Sequence, residues 1–170
     1  MHSLSLTPAP LTAAAFAPFG TVIGLAADGP ALPHAAINGG NALRYDLVPD
    51  LQLHAEGGCA MLALFRATAR SFPLALIEME RHVLGSQTFV PLGTQRFVIV
   101  VAAADAPCDA GDLQAFITDG RQGVVLAPGT WHHALLAVDG GDFAVVERRA
   151  AVVDCEVRPM ADGIQVVLAP

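Results

Sequence analysis

The sequence predicts one all-β domain spanning residues 1–170, a double-sheet jelly roll or barrel with a short N-terminal helix. Three observations carry that reading. From Gly20 onward, Gly, Pro or Asp punctuates the chain roughly every eight to twelve residues. The pieces between are short and rich in Val, Ile, Leu and Phe, the residues that suit a pleated surface. Beyond Phe16 no apolar pattern of helical period extends for any length.

Each element follows from local chemistry. Thr12 suits the N-cap of a helix over Leu11–Phe16, where the alanines favour helix and Pro18 and Gly20 stop it. Strands are expected at Gly20–Ile23, Leu43–Leu47, Ala60–Arg66, Leu74–His82, Gln87–Leu92 and Arg96–Ala102. They continue at Leu113–Thr118, Gly123–Leu126, His132–Val138, Phe143–Glu147 and Ile164–Leu168. Ala102–Gly111 (AAADAPCDAG) is small and polar enough to be an exposed loop. The tail from residue 148 first loses the turn pattern and then adds one apolar run, so it is expected to cover a sheet edge or cross to another subunit.

Composition narrows the function classes. The chain is 54% apolar, yet no run approaches the ~20 uninterrupted apolar residues of a helical membrane span, so the apolar content describes a dense interior. A formal charge of −7, with no Arg cluster beyond Arg148-Arg149, argues against nucleic acid. All nine cationic side chains are Arg, which excludes any lysine Schiff base or phosphate-loop lysine and leaves Arg for bidentate carboxylate recognition. Cys59, Cys108 and Cys155 lack a C-x-x-C pairing, which argues against a disulfide framework and a thiolate zinc site. The N-terminal residues have no basic segment before a continuous apolar run, so a cytoplasmic, reducing location is expected.

Two hairpins carry candidate chemistry. In LALIEMERHVLGSQTFVPL, from Leu74, alternation puts Glu78, Glu80 and His82 on one face and Ile77, Met79 and Arg81 on the other. Gly85-Ser86 reads as a turn that returns Gln87 beside His82. This is either a ligand set gathered around one point or the solvent face of an antiparallel strand. In LAPGTWHHALL, from Leu126, a Pro-Gly turn opens a strand on which adjacent residues face opposite ways. One of His132 and His133 then enters the interior, and periodicity does not choose between them. Arg66 and Arg148 end apolar strands and are candidate anion anchors or solvated surface cations. Asn38-Gly39-Gly40-Asn41 offers backbone N–H groups to an anion, or is a plain turn.

FAPFGTVI from Phe16, ING from Ile37, Arg44-Tyr45, Arg66, ERHVLGSQTFVPL from Glu80, RFVIVVA from Arg96, AFITDGRQGV from Ala115 and WHHALL from Trp131 resemble, in collinear order, the ureidoglycolate lyase family. The resemblance covers most of the chain. It implies a cupin-like jelly-roll β-barrel, a homodimer, and release of urea and glyoxylate from (S)-ureidoglycolate in allantoin and purine nitrogen catabolism. It also implies a divalent metal, nickel in the family expectation, on a set that looks like Glu80, His82, Gln87 and His132. His82, His132, His133 and Glu147 are then the catalytic candidates, and Arg66, Arg148, Gln87 and Asn38 the candidates for binding a small carboxylate substrate. The chain departs from the family pattern at Leu126-Ala127-Pro128-Gly129, where a tyrosine and a histidine are common, and at Arg149-Ala150, where two glycines are common. A divergent enzyme acting on another small carboxylate, or a non-catalytic binding module, is compatible with the same barrel.

Overall fold

A computed structural model describes residues 4–25 and 32–169. Strands β1 (Leu4–Leu6) and β2 (Ala9–Pro10) lead into a one-turn helix α1 (Ala13–Phe16). Thr12 caps it as expected, its hydroxyl accepting from the Ala15 N–H. There follow β3 (Gly20–Ile23), a hairpin of β4 (Ala35–Ile37) and β5 (Ala42–Arg44), and β6 (Cys59–Ala67). Next come β7 (Leu74–Ala75), β8 (Glu78–Arg81), β9 (Gln87–Pro91), β10 (Phe97–Ala102), β11 (Gln114–Ile117) and β12 (Gly123–Leu126). The chain ends with β13 (Trp131–His132), β14 (Leu136–Ala137), β15 (Gly141–Arg149), β16 (Glu156–Pro159) and β17 (Ile164–Val166).

The all-β class is therefore observed. The strands form two larger sheets, ordered β16-β8-β13-β10-β11-β2, with β14 also on β10, and β3-β12-β9-β15-β6, together with a small β1-β17-β7 sheet. Among the described residues the two larger sheets remain open and do not close into one hydrogen-bonded ring. They face each other across a core that includes Phe89, Phe97, Val101, Val124, Phe143 and Val145. A second core, with Met79, Val98, Val100, Trp131 and Val166, lies on the other face of β10. Strand β10 is a continuous apolar run because both its faces are covered.

Three expected strands are corrected. Leu74–His82 is not one strand. Leu76 N–H donates to Ile164 and Met160 N–H donates to the Ile77 carbonyl, so the chain steps from the small sheet at β7 to a large one at β8. Leu43–Leu47 is ordered as strand only through Arg44, where the hairpin with β4 ends and Asp46 takes the Arg44 guanidinium. His132–Val138 is interrupted. Between the pairs Val101–His132 and Val98–Leu136, β10 advances three residues and its partner four, which is a β-bulge. The tail does cover an edge, since β16 pairs with β8. The 102–111 loop is largely exposed as expected, except that Ala102 and Cys108 are buried in the second core.

Candidate metal centre

His132 pairs directly with Glu80, which sets their side chains opposite each other on one face of the sheet. That face is the inner one. His132 is also the partner of Val101, an inter-sheet core residue, whereas Trp131 points outward against the second core with the Arg81 guanidinium over its ring at 4.4 Å. His82 lies just past β8, its ring centroid 5.2 Å from that of His132. One ligand atom from each of Glu80, His82 and His132 lies within 4.8 Å of the others. The turn before His132 is tied to the same point. Gly129, at φ 82°, adopts the left-handed conformation that favours glycine and donates its N–H to the His82 carbonyl at 2.6 Å.

The two imidazoles are prepared for a ligand. His82 Nδ1 bonds the Asp154 carbonyl and His132 Nδ1 bonds the Thr130 carbonyl at 3.0 Å. A carbonyl only accepts, so both rings carry hydrogen on Nδ1 and present a bare Nε2. Both Nε2 atoms are buried and have no hydrogen-bond partner. The nearest counter-charge on His132 is Glu80 Oε1 at 3.5 Å, beyond the usual hydrogen-bond range. A proton on His132 Nε2 would face this carboxylate, and that hydrogen bond and charge, against partial burial, hold the Glu80 carboxyl below its ordinary range. Two orphaned imidazole nitrogens beside an ionised carboxylate, each ring fixed by a carbonyl, fit a divalent cation.

Gln87 reaches the interior from the facing sheet. It shares a face with Phe89, and its Nε2 donates to Glu147 Oε2 at 2.9 Å, while its buried Oε1 has no partner. Glu147 shares the inward face of β15 with Val145. A cavity of about 220 Å³ brings His82, Glu147, Arg148 and Asp154 together. Arg148 reaches it across Gly58 and Gly85. A Cβ built on Gly85 would sit 2.6 Å from Arg148 Cβ, and the guanidinium donates to the Ala55 carbonyl at 2.8 Å.

The remaining candidates lie elsewhere. Glu78 is exposed at the start of β8. Arg66 pairs with Asp142 at 2.8 Å and its side chain is 81% exposed. Asp142 is five residues from Glu147 along β15, roughly 17 Å at strand rise, so Arg66 is not brought to this cavity. Asn38 is exposed in the β4–β5 turn, its carbonyl accepting from Asn41. His133 is re-aimed by the bulge and lines a small apolar space with Phe89, Ile99 and Leu126, so strict alternation of the two histidines does not hold. Its burial pushes its pKa down. The sequence reading missed Thr130, Asp154 and Cys155. The Cys155 thiol donates to Glu80 Oε2 at 3.6 Å, and no local spacing connects residues 75 positions apart. A larger cavity, about 650 Å³, lies between α1, β3 and the β4–β5 hairpin, with the His34 ring tilted against Tyr45 and an Arg44–Asp46 ion pair. None of the unpartnered buried side-chain atoms found among the described residues lines it.

The sequence model described as Ureidoglycolate lyase matches residues 3–167. The chain belongs to the ureidoglycolate lyase family. It is 39% identical over 168 residues to the ureidoglycolate lyase of Pseudomonas fluorescens strain Pf0-1, an alignment that covers 98% of each chain. It is 39% identical over 170 residues to that of Azotobacter vinelandii, covering 99% of this chain and 98% of the relative. With that of Burkholderia cepacia it shares 42% over 153 residues, covering 88% and 83%.

Proposed function

We propose that this protein is a ureidoglycolate lyase that releases urea and glyoxylate from (S)-ureidoglycolate, a step of allantoin and purine nitrogen catabolism. The observation that carries the reading is the pair of buried, unpartnered Nε2 atoms of His82 and His132 beside Glu80, next to a small cavity that His82, Glu147 and Arg148 line. Glu80, His82 and His132, with Gln87 Oε1 from the facing sheet, would hold a divalent ion, Ni²⁺ by family expectation. When bound, it supplies a Lewis acid for a hydroxyl or carboxylate oxygen of the substrate.

The substrate has one carbon bearing a hydroxyl, a carboxylate and the urea nitrogen. Arg148, already held by the Ala55 carbonyl, is placed to take the carboxylate with its remaining N–H groups. Glu147 receives the hydroxyl proton, the C–O bond becomes a carbonyl, and the C–N bond breaks. Glu147 then returns the proton to the departing nitrogen, so no water is consumed. Gln87 steadies Glu147 through its 2.9 Å bond. His133 lines a separate apolar space and takes no part in this proton transfer.

The two facing sheets are read as a cupin-like jelly roll in a single domain over residues 1–170. A homodimer is supported by exposed Leu62 and Leu64 on β6, at the edge of its sheet. Three free cysteines, Cys59, Cys108 and Cys155, suit a reducing cytoplasm. Incubation of the metal-analysed protein with (S)-ureidoglycolate, measuring urea and glyoxylate, tests the activity. Equal amounts of both are expected, and no release with any divalent metal would overturn it.

A further inference from the structure

Residues 154–156 touch three consecutive positions of the ligand strand and its end. The Asp154 carbonyl accepts from His82 Nδ1, the Cys155 thiol meets Glu80, and Glu156 Oε2 accepts from Arg81 Nε at 2.7 Å. Asp154 does more than lend a carbonyl. Its Oδ1 accepts the Val83 N–H at 2.9 Å and its Oδ2 the Leu84 N–H at 2.6 Å. Both carboxylate oxygens therefore grip the backbone that leaves His82. On its N-terminal side there is no comparable hold, since Val152 and Val153 are 78% and 83% exposed.

We propose that Asp154 is a positioning residue for the metal centre. Its carboxylate anchors the 150–155 segment on residues 83 and 84, and the anchored carbonyl fixes His82 as the Nδ1–H tautomer with Nε2 aimed inward. The inference rests on the metal reading above only for its effect on affinity. The tautomer is a property of the metal-free protein. His132 takes its tautomer from Thr130 on a separate segment, so it is an internal control.

The test compares the full-length protein with Asp154→Ala and Asp154→Asn. Long-range proton–nitrogen NMR of metal-free samples reads the tautomers, and titration with Co²⁺ reads affinity. Asp154→Ala is expected to turn His82 into a mixture of tautomers while His132 stays Nδ1–H, and to weaken Co²⁺ about 10- to 100-fold. Asp154→Asn keeps one acceptor oxygen and should fall between. It carries the test if the alanine variant fails to fold, as judged by near-ultraviolet circular dichroism. A folded variant whose His82 stays wholly Nδ1–H, or whose Co²⁺ affinity equals wild type, overturns the proposal. A wild-type protein that binds no Co²⁺ overturns the metal reading instead, and the tautomer alone then decides the role of Asp154.

Discussion

Replacing Gln87 by Glu puts two carboxylates where an amide N–H now donates to Glu147 at 2.9 Å, beside a backbone that pairs the same two residues. Two unit charges at that distance repel by about 6 kcal/mol at an effective dielectric of about 20. The pair can avoid this by holding one proton. Keeping a carboxyl of ordinary pKa, near 4.3, protonated at pH 7.5 costs about 4 kcal/mol. Protonation sets the ceiling, and side-chain separation lowers it, so metal-free Gln87→Glu should lose about 2–4 kcal/mol at pH 7.5. Urea unfolding across pH reads this, and the deficit should shrink toward zero below about pH 5, where the proton is free of cost. The double variant Gln87→Glu/Glu147→Gln restores one donor and one acceptor and should regain most of the loss. A single variant within about 0.5 kcal/mol of wild type at pH 7.5 would refute the contact and the placement of Glu147 in the cavity.

Three further outcomes follow from the same geometry. His132→Ala should remove measurable Co²⁺ binding, followed by fluorescence of Trp131, the only tryptophan, while the fold persists by circular dichroism. Arg148→Ala should raise the KM for ureidoglycolate at least tenfold, as expected for loss of a charge-assisted pair, whereas Arg66→Ala should change it less than about twofold because that pair is exposed and distant. Arg96 lowers the Asp139 carboxyl to about 2 from its ordinary 3.8, so that pair stabilises the fold above pH 3.8 and the contribution disappears as pH falls through about 2. Acid unfolding of Asp139→Asn should therefore differ from wild type at pH 5 and converge with it near pH 2.

The strand-rich class, the N-cap at Thr12 and the Gly123–Leu126 strand were legible in the sequence because each is set by neighbours along the chain. Turn residues bound the strands, a hydroxyl reaches an N–H three residues on, and alternation separates Met79 from Glu80. The Glu-x-His pair at 80 and 82 was legible for the same reason. The expected hairpin to Gln87 does not form, because β8 and β9 join different sheets, and Gln87 enters the interior from the facing one.

Only the tertiary structure decided the rest. Period two alone is equally content with Glu80 in water or in the interior. The pairing of His132 with Glu80 and Val101 selects the inner face. The one-residue bulge after His132 defeats any alternation rule for His133, because an extra residue changes the direction of everything beyond it. Arg66 and Arg148 look alike as strand-end arginines, and they are told apart because Arg66 lies opposite Asp142 at the start of β15 while Arg148 lies near its end. Asp154 had no local signal at all. Its work on His82 depends on a contact across 72 residues of chain, and chain spacing carries no information about which distant carbonyl will meet an imidazole. Local sequence thus determined which chemical groups were available on which strands, and long-range strand pairing determined which of them share a site, since only packing brings distant segments within bonding distance.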